Sequence, residues 1–121
     1  MRILLIDDEE KFVLMLARRL TLRGFKVEAF FSGRPAIEVV RRGGRFDVAV
    51  LDLKMPDIGG LELKKMLSRH DSRLKFVFLT GHGSTAVFSE EDPPTVCLSK
   101  PVQIDALITT LVTVTGKTPP E

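Results

Sequence analysis

Residues 46–56 read Phe-Asp-Val-Ala-Val-Leu-Asp-Leu-Lys-Met-Pro, and from Val48 to Leu53 the run is apolar except for Asp52. A short, β-branched apolar run of this kind reads as a strand buried on both faces. It is too brief for a solitary helix, and Pro56 stops it. Asp52 therefore stands at the C-terminal end of a central strand, where open α/β sheets place their ligands. A carboxylate there must be solvated, hydrogen-bonded or paired with a cation.

At 121 residues the chain has the length of one domain and can bury a core without disulfides. Its 44% apolar and 28% charged residues are ordinary for a soluble globular protein. A single cysteine, Cys97, excludes an intramolecular disulfide and a cysteine-based zinc site. No apolar segment approaches the length of a membrane span, and nothing near Met1 reads as a signal peptide, so the cytoplasm is the expected compartment. A net charge of +2 gives no argument for direct nucleic-acid binding. The densest basic cluster, Arg41, Arg42 and Arg45, reads as a solvated helix end.

The segments before and after the central run repeat one theme. Residues 2–6 (RILLI) form a second buried strand candidate that runs into Asp7, Asp8, Glu9 and Glu10. Residues 9–22 carry Phe12, Val13, Leu16, Ala17 and Leu20 at helical spacing, with Gly24 as a C-cap candidate. Residues 26–31 read as a strand, and Pro35 suits the first turn of a helix that ends at Gly43 and Gly44. Pro56, Gly59 and Gly60 break the chain before a helix over 61–70, and 74–79 reads as a fourth strand. Residues 84–91 allow two helical turns before Asp92, Pro93 and Pro94; 95–98 is a short strand, 104–114 a helix, and 116–121 a flexible tail or cut linker. Alternating strands and helices predict a mostly parallel sheet covered on both faces.

Right-handed crossovers then bring Asp7, Asp8, Asp52, Thr80 and Lys100 to one edge of the sheet. Three carboxylates at one place are costly unless a cation is present, and an all-oxygen donor set with room for water suits Mg²⁺. Lys100 supplies a fixed positive charge and Thr80 a hydroxyl, while Gly81 and Gly83 permit close backbone approach. These are the parts needed to receive a phosphoryl group on a carboxylate. Taken singly, each part has a plainer reading: Asp8 is also an N-cap candidate for the first helix, and Lys100 and Thr80 could be ordinary strand-end residues. His82 and His70 share no neighbourhood that suggests a metal, and Gly81-His82-Gly83 lacks the residues of a P-loop.

LLIDDEE at 4–10, FDVAVLDLKMPDIGG at 46–60, FLTGHG at 78–83 and SKP at 99–101, in this order, resemble the receiver domain of bacterial two-component response regulators. The resemblance spans about residues 2–114. It implies a flavodoxin-like, doubly wound, five-stranded parallel sheet of order 2-1-3-4-5, with a receiver domain over 1–115 and a tail over 116–121. It makes Asp52 the phosphoacceptor and gives Mg²⁺ to Asp7, Asp8, Asp52 and the Lys54 backbone carbonyl. By the same resemblance Thr80 is the switch hydroxyl and Lys100 pairs with phosphate. The Lys100–Pro101 bond is expected to be cis, and Lys54 and His82 are rate-tuning positions. The expected partner is a histidine kinase or histidine phosphotransfer protein. Departures gather after Gly83: the fourth helix looks shortened or irregular, and Cys97 occupies the position where the family usually carries a switch aromatic.

Two other classes compete with a phosphoacceptor switch. A receiver-like module could signal without phosphorylation, and an aspartyl-nucleophile phosphatase would use a similar sheet. The phosphatase usually places a general acid two residues beyond the nucleophile, where this chain has Lys54. No turnover of a separate substrate is expected beyond the domain's own phosphorylation and dephosphorylation. Residues 104–114 carry no charge after Asp105, so the face made by 84–114 is the expected surface for a second copy or a downstream protein.

Overall fold

The computed structural model describes residues 1–81 and 96–120. Along the chain run β1 (Arg2–Ile6), α1 (Glu10–Leu22), β2 (Lys26–Phe30), α2 (Gly33–Arg41), β3 (Val48–Asp52), α3 (Gly60–His70), β4 (Lys75–Thr80), β5 (Val96–Ser99) and α4 (Ile104–Thr115). The five strands form one sheet in the order β2-β1-β3-β4-β5, and every pairing is parallel. This is the doubly wound, flavodoxin-like order. Four helices lie among the described residues. The expected short fourth helix over 84–91, the Asp92–Pro94 break, Gly83 and His82 lie outside them.

β3 is buried at all five positions because helices cover both faces of the sheet. Side-chain alternation sorts the strand residues between two cores. Leu4, Ile6, Ala49, Leu51, Phe76 and Phe78 pack with α2 and α3, through Ala36, Val40, Leu63 and Leu67. Ile3, Leu5, Val48, Val50, Val77 and Leu79 pack with α1 and α4, through Val13, Leu16, Leu20, Leu107 and Leu111. Each fully buried Leu, Val or Phe contributes about 1.5–3 kcal/mol of transfer free energy. A one-residue slip of β3 would exchange the two sets and move Asp52 from its place.

Local chemistry ends the helices where the sequence predicts. Gly24 follows α1 with φ +91°, a conformation a side chain resists. The basic cluster at the end of α2 is solvated but not idle: Glu38 accepts from Arg41 and from Arg42, and Arg45 lies 3.8 Å from Asp71. In α4 the hydroxyls of Thr109, Thr110, Thr113 and Thr115 donate to the carbonyls four residues earlier. A threonine-rich segment thus satisfies its own polar groups and forms a helix. Thr109 and Thr113 face solvent, and Val112 is half-buried. Beyond Gly116, Lys117 Nζ pairs with Asp47 at 2.7 Å, a tether from the tail to the opposite pole of the sheet from Asp52. No described helix is long and apolar enough to cross a membrane.

Candidate phosphoacceptor site

Strand register builds the site. Ile6 pairs with Leu51 across β1 and β3, so Asp7 and Asp52 emerge side by side. Asp52 pairs with Leu79 across β3 and β4, and Thr80 with Ser99 across β4 and β5, which delivers Lys100 to the same edge. The Lys100 backbone N–H donates to the Thr80 carbonyl at 2.7 Å, and the Lys100–Pro101 peptide is cis. Asp8, Glu9, Asp52, Lys54, Thr80, Gly81 and Lys100 line a crevice of about 320 Å³.

Asp7 is 1% exposed and Asp52 7%, whereas Asp8 faces solvent. The three can each turn one oxygen to a common point, with all three oxygens within 4.8 Å of one another. Asp7 Oδ1 accepts from the Glu9 backbone N–H at 3.0 Å, fixing the turn into α1. Asp8 does not cap α1: Glu9 occupies the N-cap position, and no side chain makes a cap hydrogen bond there. Asp8 is thereby left facing the crevice. Asp7 Oδ2 lies 2.6 Å from Lys100 Nζ, yet no donor is aligned with it in hydrogen-bond geometry. The contact is an ion pair by distance, and the buried oxygen keeps a lone pair without a directed partner. A hard divalent cation fits this donor set of carboxylate oxygens beside an open crevice.

Burial, and then the Asp7 charge beside it, push the Asp52 carboxyl up to about 6, against the pull of Lys100 and the Lys54 backbone N–H. Asp7 is raised as well, chiefly by burial, despite its contact with Lys100. Burial works against the Lys100 ammonium, but its close contacts with the Asp7 and Glu9 carboxylates outweigh it and the Lys100 value rises. The crevice therefore carries negative charge in excess, the condition a cation relieves.

The predicted residues Asp7, Asp8, Asp52, Lys54, Thr80 and Lys100 meet at this edge, while His82 lies outside the described residues. Cys97 sits mid-strand in β5 opposite Phe78 and packs against the α2–α3 core, with its thiol pushed up by burial. Two contacts were not read from the sequence. Lys100 Nζ also reaches Glu9 Oε1 at 2.6 Å and lies 4.6 Å from the Phe12 ring centroid. The only hint was Glu9's place in the acidic run before α1. The other contact is the start of α3: a Cβ on Gly60 would stand 2.5 Å from the Asp52 carbonyl oxygen and 2.9 Å from Leu53 Cα. Gly60 thus lets α3 begin directly against the strand end that carries the carboxylate.

The family model described as the response regulator receiver domain matches residues 3–112. The transcriptional regulatory protein TcrA of Mycobacterium tuberculosis is 34% identical over 112 residues, covering 91% of this chain and 44% of TcrA. The chain thus spans less than half of that relative. The response regulator receiver protein CpdR of Brucella abortus is 31% identical, with 88% of this chain and 90% of CpdR covered. A response regulator receiver protein from Sinorhizobium medicae superposes with a TM-score of 0.84 at 30% identity, over 95% of this chain and 94% of that one. With matching fold order, strand-end carboxylates and a family model that covers nearly all of it, the chain belongs to the response regulator receiver domain family.

Proposed function

We propose that this domain is a signalling switch that accepts a phosphoryl group on Asp52. The supporting observation is the convergence of Asp7, Asp8 and Asp52 with Lys100 in one open crevice. The donor is a phosphohistidine on a kinase or phosphotransfer protein. An Asp52 carboxylate oxygen attacks phosphorus, the P–N bond breaks, and the departing imidazole takes a proton. Asp7, Asp8, Asp52 and the Lys54 carbonyl would hold Mg²⁺, whose charge stabilises the transferring oxygens. Lys100 provides the second positive charge, and Thr80 donates its hydroxyl to the phosphoryl group once formed. Burial of Asp7 and Asp52 excludes water on the sheet side, and the crevice admits the donor from solvent.

The output is a changed surface. The face built from β5 and α4 is the proposed site for a second copy or a downstream protein, with Cys97 in place of a bulky switch side chain; the 84–94 part of the expected surface lies outside the described residues. The receiver unit is assigned to 1–115 and the cytoplasm is the proposed compartment. Intact mass after treatment with Mg²⁺ and a small phosphodonor tests the reading. Wild type gains the mass of one phosphoryl group, and chelation of Mg²⁺ abolishes the gain. An unmodified wild-type protein under conditions that phosphorylate a known receiver would reject it.

A further inference from the structure

One acidic side chain in the crevice has no task in this mechanism. Glu9 is the N-cap residue of α1, yet its side chain makes no cap hydrogen bond. It reaches across the crevice instead, and its Oε1 accepts from Lys100 Nζ at 2.6 Å. The ammonium is thus held between Asp7 and Glu9, each at 2.6 Å, with Asp52 Oδ1 further off at 3.9 Å. The Phe12 ring lies on the same β1–α1 side, 4.6 Å from Nζ. An ammonium has three protons to place, and this one faces two carboxylates away from the phosphorylation point.

To pair with a phosphoryl group on Asp52, Lys100 must turn towards β3 and loosen one of these contacts. Asp7 is buried and fixed through its other oxygen to the Glu9 backbone N–H. The Glu9 side chain is 62% exposed and recovers water when released. Glu9 is therefore the partner that lets go.

We infer that Glu9 is a positioning residue that holds Lys100 towards the β1–α1 turn and competes with the phosphoryl group for its ammonium. The inference rests on Asp52 being the phosphoacceptor. Removing the competitor frees Lys100 and tightens binding of a phosphoryl mimic. A half-exposed pair of this kind sets the size at about fivefold. Glu9→Gln removes the charge, and Glu9→Asp keeps the charge but falls one methylene short of Lys100.

The test measures Mg²⁺-dependent beryllofluoride affinity in wild type, both Glu9 variants, Lys100→Ala, and the Glu9→Gln/Lys100→Ala double variant. Both Glu9 variants are expected to bind about fivefold more tightly, and Glu9→Gln is expected to change nothing once Lys100 is Ala. A tighter Gln variant beside an Asp variant equal to wild type would show a diffuse charge effect and overturn the inference, as would two unchanged variants. A wild type that binds no mimic would remove the phosphoacceptor reading and this inference with it. In metal-free protein, proton exchange of the Lys100 ammonium, read by ¹⁵N NMR, is expected to speed up in both variants; unchanged exchange would show that Glu9 does not hold it.

Discussion

Replacing Asp52 by Asn should stabilise the metal-free protein, and only above the pH at which Asp52 ionises. Asp52 is raised from 3.8 to about 6 by burial and by the neighbouring Asp7 charge. The folded protein therefore binds this proton more tightly than the unfolded chain does. The resulting stability is fully present below pH about 4 and is lost as pH rises through about 6. Each pKa unit corresponds to 1.36 kcal/mol, so a shift of about 2 units costs the ionised wild type about 3 kcal/mol at pH 8. Asn carries no charge to desolvate and has nearly the same shape. Its weak contact with Lys100, 3.9 Å in the wild type, offers little to lose. The variant should gain about 2–3 kcal/mol at pH 8, about 8–12 °C in Tm for a chain of this length. Near pH 4 the two proteins should melt together. Urea titrations with excess chelator at both pH values make the comparison. An equal gain at pH 4 and pH 8 would show that packing, not ionisation, is responsible. A loss at pH 8 would refute the charge argument outright.

Further outcomes follow from the same geometry. Asp8→Asn should weaken Mg²⁺ binding at least tenfold by isothermal titration with little effect on the fold, because Asp8 is exposed and caps nothing; unchanged affinity would remove it from the donor set. Gly60→Ala should destabilise the domain by about 2 kcal/mol or more in urea and slow phosphorylation of Asp52, because the added methyl meets the Asp52 carbonyl at 2.5 Å. Wild-type stability in the Gly60 variant would mean α3 can start elsewhere. Lys54→Ala combined with His82→Ala should alter the lifetime of the Asp52 phosphoryl group, since the family resemblance makes both rate-tuning positions; an identical decay of radiolabel would exclude them.

The sheet was legible because its strands are short apolar runs ended by polar or breaking residues. β3 was the clearest, since burial on both faces removes polar residues from Val48 to Leu51. The site followed from the strands, because register carries Asp7, Asp52, Thr80 and Lys100 to one edge without any need for side-chain detail. Side-chain pairing was harder to read. Asp8 is of a favoured N-cap residue type just before α1, yet the chain turns so that Asp7 contacts the Glu9 N–H and Asp8 faces solvent. Lys100 and Glu9 are 91 residues apart, and no local pattern announces their contact. The same holds for Lys117 and Asp47, and for Arg23 and Asp105, which join α1 to α4 at 3.1 Å. The α4 segment forms a helix although its four threonines are β-branched and favour strands. Their hydrogen bonds to carbonyls one turn back satisfy the hydroxyls within the helix.

The central claim is that Asp52 itself carries the phosphoryl group. An aspartyl phosphate is an acyl phosphate, and borohydride reduces it to homoserine at the residue that bore it. Wild type treated with Mg²⁺ and a small phosphodonor, then reduced and digested, should yield one peptide from the β3 region with homoserine at position 52. Homoserine at position 7 or 8 instead, or an equal yield from the Asp52→Asn variant, would contradict the assignment.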